Sequence, residues 1–145
     1  DLLRHAARAP GDPIPLAVVA ALRNDETVRR RYARLVGLRA EAHSPMAIAA
    51  YSEGNRRVVG GHALRLMLDD DLPPILVISP IEEGVASPRA LEAMGEIGDG
   101  DFVSVRVALP EAIRGHVTLP LDPTRRELAD LATLLTRPDS ALWLL

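Results

Sequence analysis

Apolar residues recur at helical spacing near both ends of the chain and alternate with polar ones in between. In the stretch 12–23, Asp12 stands in an N-cap position with Pro13 just inside, which predicts a helix to about Arg23. Asn24 is the expected cap of a second helix, residues 25–37, where Val28, Tyr32, Leu35 and Val36 form a stripe and Gly37 supplies a stop. Residues 1–9 fit one or two helical turns before Pro10. After Pro45 the period changes. "MAIAAYS" and "RRVV" read as strands joined by "EGN", and "ILVIS" as a buried strand. The spacing in "HALRLML", residues 62–68, predicts a helix behind Gly60 and Gly61, and Ser87 with Pro88 predicts another to Met94. In "FVSVRVAL", Val103, Val105, Val107 and Leu109 alternate with Phe102, Ser104, Arg106 and Ala108, the pattern of a half-exposed strand. With "HVTLPL" it predicts a hairpin. Asp122 and Pro123 open a last helix with Leu128, Leu131, Ala132 and Leu135 on its apolar face, and Thr124 and Glu127 stand at capping-box spacing. The tail "ALWLL" is expected to pack into the core.

These elements predict an α+β fold with two N-terminal helices, a central mixed β-sheet, a β-hairpin and an amphipathic C-terminal helix. The expected organisation is an N-terminal helical segment over residues 1–40 and an α+β unit over 41–145, together one compact body.

Composition narrows the chemistry. Hydrophobic residues make up 48% and charged residues 26% of the 145, as in ordinary folded domains. Cysteine is absent, which excludes disulfides, thiolate catalysis and cysteine-ligated zinc. Every cationic side chain is arginine, so Schiff-base chemistry and a Walker-type lysine are excluded as well. The net charge of −3 does not favour nucleic acid, and aromatic residues, at 3%, are too few for base-stacking platforms. No apolar run is long enough to span a membrane, and a cytoplasmic location is expected.

The stretch "VVGGHALRLML" poses the main functional question. A strand that hands over to a helix through two glycines leaves unpaired amides at the helix start, and these attract anions. Gly60, Gly61, His62 and Arg65 are therefore the candidate phosphate-binding residues. The longer segment "RRVVGGHALRLMLDDDLPPILVI", with "PMAIAAYSEG" before it, resembles the strand–glycine–helix–strand unit of the ParB/sulfiredoxin fold over residues 44–80. The resemblance implies that fold and a partner-binding role. Where ParB proteins carry Glu-Arg-Arg and sulfiredoxins Cys-His-Arg after the glycine, this chain has His62, Ala63 and Leu64. Neither nucleotide hydrolysis nor sulfinic-acid reduction is therefore expected.

Arg29, Arg30, Arg31 and Arg34, with Arg23 and Arg39, form a basic face that could meet nucleic-acid phosphates. Asp69, Asp70 and Asp71 read as a solvated acidic exit, and Asp99 and Asp101 lack the remaining ligands of a calcium loop. The four histidines show no zinc spacing, and no serine sits in a nucleophile elbow. No catalytic residue, metal or cofactor is expected. The reading favoured by the sequence is a non-enzymatic binding or regulatory adaptor module acting through a protein or peptide partner, or through self-association. The alternative is a phosphate- or nucleotide-binding domain of ParB/sulfiredoxin type using the Gly-Gly turn, and a third reading is an enzyme with a dispersed site to which the sequence assigns no residues.

Overall fold

The computed structural model describes residues 2–10, 12, 15–37, 42–44, 56–69, 71–98, 100–137 and 139–145. Three helices come first: α1 (Leu2–Ala6), α2 (Leu16–Asn24) and α3 (Glu26–Gly37). Strands β1 (Ala42–Ser44), β2 (Arg56–Val59), β3 (His62–Asp69), β4 (Leu72–Pro80), β5 (Ala90–Glu96), β6 (Phe102–Ala108) and β7 (Val117–Pro120) follow. Helix α4 (Arg126–Thr136) and strand β8 (Ala141–Leu144) complete the described chain. The α+β class is observed. Its strands form two four-stranded sheets, β1-β8-β5-β6 and β2-β3-β4-β7, with every pairing antiparallel, where one mixed sheet was expected.

Alternation along the strands builds two cores. On one face of the first sheet, Leu91, Ala93, Val105, Val107, Leu142 and Leu144 meet Leu64, Leu66, Leu76 and Ile78 of the second sheet and the leucines of α4. On the opposite face, Met94, Phe102, Ala141 and Trp143 pack under Val18, Leu22, Tyr32 and Val36 of the N-terminal helices. The first sheet is thus covered on both sides, and β6 is buried along most of its length where a half-exposed strand was expected. The tail packs as expected: β8 is wholly buried and lies between β1 and β5.

Several expectations are corrected. Residues 62–68 belong to strand β3, not to a helix: His62, Leu64 and Leu66 are buried, while Arg65 and Met67 are exposed, a period of two. Residues 90–96 form β5, not a helix, because pairing to both β6 and β8 outweighs the helix preference of Ala, Leu, Glu and Met. The hairpin expected over residues 102–121 does not form, since β6 and β7 belong to different sheets. Gly60 and Gly61 close a hairpin between β2 and β3, with Val59 facing His62 and Gly60 at φ 58°. Helix α3 is capped by Asp25 rather than Asn24, its Oδ1 accepting from the Thr27 amide at 2.9 Å. Helix α2 begins after Pro15 with no side-chain cap, so Asp12 does not cap it. Glu127 pairs with Arg125 instead of closing a capping box with Thr124. "MAIAAYS" lies outside the described residues. Among those that are described, no helix is long and apolar enough to cross a membrane.

Candidate functional site

Two sequence features that pattern reading passes over meet on the helix-covered face of the first sheet. Glu92 stands between Leu91 and Ala93 in β5, and Arg106 stands opposite it in β6. Strand alternation turns both side chains away from the inter-sheet core and toward the helical layer. The turn after α1 then delivers Arg8, and α3 delivers Tyr32.

The Glu92 carboxylate is fully buried and accepts four donors. Its Oε1 takes the Tyr32 hydroxyl at 2.6 Å, the Ser104 hydroxyl at 3.0 Å and Arg8 Nη2 at 3.1 Å. Its Oε2 takes Arg106 Nε at 2.6 Å. The arginines are anchored further: Arg8 Nη1 donates to the His5 carbonyl at 2.9 Å and the Tyr32 oxygen at 2.7 Å, and Arg106 Nη1 donates to the Arg8 carbonyl at 2.6 Å. The Arg8 and Arg106 side chains are 6% and 3% exposed, so both ion pairs are shielded from solvent. Arg106 Nη2 is buried and has no hydrogen-bond partner among the described residues.

His5 packs on Tyr32 with ring centroids 5.1 Å apart. Burial first, then the neighbouring Arg8 charge, lowers its pKa to about 4, with Arg106 acting the same way and Glu92 opposing. Burial, assisted by the Glu92 charge, pushes the Tyr32 hydroxyl up to about 12. Because the folded pKa of His5 lies below its ordinary value, the unfolded chain takes up the proton first as pH falls. The stability held by neutral His5 is therefore complete above about pH 6.5 and declines toward pH 4, by at most about 3 kcal/mol. Urea unfolding at pH 7.5, 6 and 5 should show this slope flattened in His5→Leu; equal slopes in both proteins would refute the assignment.

Two openings adjoin the cluster. The first is a cavity of about 580 Å³ lined by Ala7, Arg8, Ala9, Pro10, Ala90 and Arg106, together with Leu145. The second is a groove of about 230 Å³ between β6 and the start of α4, where Arg106, Val107 and Ala108 face Leu119, Arg125, Glu127 and Leu128, with Pro10 at its side.

No protein-family model matches this chain, and neither does any curated protein or solved structure. Its chemistry therefore rests on its own geometry.

The structure does not gather the residues singled out in the sequence. Gly60 and Gly61 form a hairpin turn, so no helix N-terminus lies behind them and the amide cluster expected of an anion site is missing. A Cβ placed on Gly61 would lie 2.9 Å from Val85 Cγ2 and 3.2 Å from a Glu82 carboxylate oxygen, so Val85 and Glu82 crowd the place a side chain would take there. His62 is buried and Arg65 exposed on opposite faces of β3, and cannot converge on one guest. Residues 56–69 thus form a hairpin of two strands where a strand, two glycines and a helix were expected. Arg30, Arg31 and Arg34 lie exposed on α3, and Arg29 sits over the Phe102 ring at 5.5 Å. Arg30 pairs with Glu26 at 2.6 Å, an exposed pair that adds little stability. Asp69 and Asp71 flank the β3–β4 turn rather than a helix exit. Among the described residues, no group of His, Asp and Glu is placed to hold a metal ion.

Proposed function

We propose that this protein is a binding module that captures an extended segment of a protein partner along the free edge of β6. The observation that carries this reading is the outer edge of β6, which has no strand partner among the described residues where it borders the groove. The Leu109 amide donates to the Arg89 carbonyl and the Asp101 carbonyl accepts from Ile97, which fixes the parity of the strand. Odd-numbered residues bond toward β5, so the main-chain groups of Ser104, Arg106 and Ala108 point outward. Among the described residues, no hydrogen bond reaches the outward groups of Arg106 and Ala108. A row of alternating amides and carbonyls at strand spacing is matched by another polypeptide backbone. Val107, Ala108, Leu119 and Leu128 give the groove apolar walls for the guest's side chains, and Arg125 and Glu127 form a polar rim. Nothing in this arrangement calls for catalysis.

Ala108→Pro tests the reading. Ala108 is exposed and its amide points away from β5, so proline removes an edge donor without breaking a sheet hydrogen bond. Dodecapeptides selected from a displayed random library on the wild-type protein should bind the variant about tenfold or more weakly. They should also slow hydrogen exchange at the Arg106 and Ala108 amides. Selected peptides that bind the variant equally well, or that protect other amides, overturn the proposal, as does a selection that yields no binder. A concentration-dependent dimer abolished by Ala108→Pro identifies the captured strand as that of a second copy.

A further inference from the structure

The cluster beneath the N-terminal segment is unbalanced in charge. Arg8 and Arg106 share the single carboxylate of Glu92, while His5 and Tyr32 are neutral near pH 7. Among the described residues, one positive charge is therefore left over in a site whose cationic side chains are almost fully buried. A desolvated cation without a counter-charge is costly, and proteins meet that cost with a partner or a bound ion. Arg106 supplies a second, independent sign: its Nε and Nη1 have acceptors, and its buried Nη2 has none among the described residues.

Arg8 and Arg106 are also among the residues that line the larger cavity, with Ala7, Ala9, Pro10, Ala90 and Leu145. An excess positive charge at one side and small apolar walls elsewhere describe the complement of an amphipathic anion. The volume, about 580 Å³, falls among those of small-molecule sites.

We infer that this cavity binds a small organic monocarboxylate, its head beside Arg106 and Arg8 and its apolar body against Ala7, Ala9, Pro10 and Leu145. A single negative charge matches the single excess positive charge. A phosphate dianion would bring more charge than the site can neutralise, and more hydration to remove. Arg106 Nη2 is closed to solvent, so a hydrogen bond to it needs a small adjustment of side chains. The Coulombic attraction to the pair needs none. This inference does not depend on strand capture at β6. Ala108 is not among the cavity's walls, so Ala108→Pro should leave carboxylate binding unchanged.

The test is calorimetric titration of the whole protein at pH 7 and constant ionic strength with acetate, butyrate and hexanoate. Butanol, hexanol and butylammonium serve as matched controls. Affinity should rise about three- to fourfold per methylene until the cavity is filled. Hexanol should bind at least about tenfold more weakly than hexanoate, because it lacks the charge. N-acetyl-leucine in the same series separates a peptide C-terminus from a free aliphatic acid, according to which binds more tightly. Arg106→Gln should abolish binding, but it also removes a buried hydrogen bond to Glu92 and endangers the fold. Ala9→Trp decides the matter. Ala9 is exposed at the cavity wall and outside the charge cluster, so tryptophan there fills the space without disturbing the ion pairs. It should leave Tm unchanged and weaken hexanoate binding by about tenfold or more. No binding at millimolar hexanoate, equal binding of hexanol, or unaltered affinity in Ala9→Trp would each overturn the inference.

Discussion

Glu92→Ala should destabilise the protein by about 3–5 kcal/mol, lowering Tm by roughly 10–15 °C. The substitution strips the acceptor from Arg8, Arg106, Tyr32 and Ser104 together and leaves two guanidiniums buried side by side. The loss is large because the surviving charges remain desolvated, not because the intact cluster contributes that much. Buried ion pairs roughly break even against well-packed apolar groups. A triple variant with leucine at positions 8, 92 and 106 should therefore recover much of what Glu92→Ala loses, although it deletes more hydrogen bonds. Urea denaturation of both variants checks the pair of expectations. A single-variant loss below about 1 kcal/mol would show that water reaches the cluster and that Glu92 is not its keystone.

Trp143→Ala should cost about 3–5 kcal/mol, the range for deleting a large buried aromatic side chain. Trp143 is fully buried on the face of β8 that meets the N-terminal helices, beside Met94, Phe102 and Ala141. Its removal opens a void between that sheet and α1–α3, and the helices have no other extensive seat among the described residues. Far-ultraviolet circular dichroism should show helical signal melting ahead of strand signal in the variant, whereas the wild-type signals coincide. Leu16→Ala is the control, since Leu16 is 86% exposed and its truncation should leave Tm unchanged. A near-normal Tm in Trp143→Ala would mean that the helical layer does not rest on this residue.

Legibility in the sequence followed how local each determinant was. The stripe of Val28, Tyr32, Leu35 and Val36 and the leucines of α4 were readable because a helix brings residues three and four apart onto one side. The strict alternation over residues 102–109 was readable as a strand for the same kind of reason. What a local pattern cannot show is whether the second face is also covered. The role of Glu92 is not legible locally because its partner Arg8 is 84 positions away, and a charged residue in an apolar run has no local signature that separates it from a solvated one. The signal that could have found the cluster was Arg106, a lone cation in the apolar alternation of 102–108, and Glu92, a lone anion between Leu91 and Ala93.

By itself, the sequence determined the α+β class, the amphipathic helices near each end, the burial of the tryptophan-bearing tail, and the absence of any cysteine- or lysine-dependent chemistry. All of these depend on residue type or on spacings of two to four positions. The tertiary structure decided the rest. It made strands of 62–69 and 90–96, whose alanines, leucines and methionines prefer helix, because pairing with distant neighbours outweighs a preference of less than about 1 kcal/mol per residue. It turned Gly60 and Gly61 into a hairpin and sent β6 and β7 to different sheets. It also placed Arg8, Glu92 and Arg106 together beside a cavity, since only a closed fold brings charges from the turn after α1 and from strands β5 and β6 into one desolvated site.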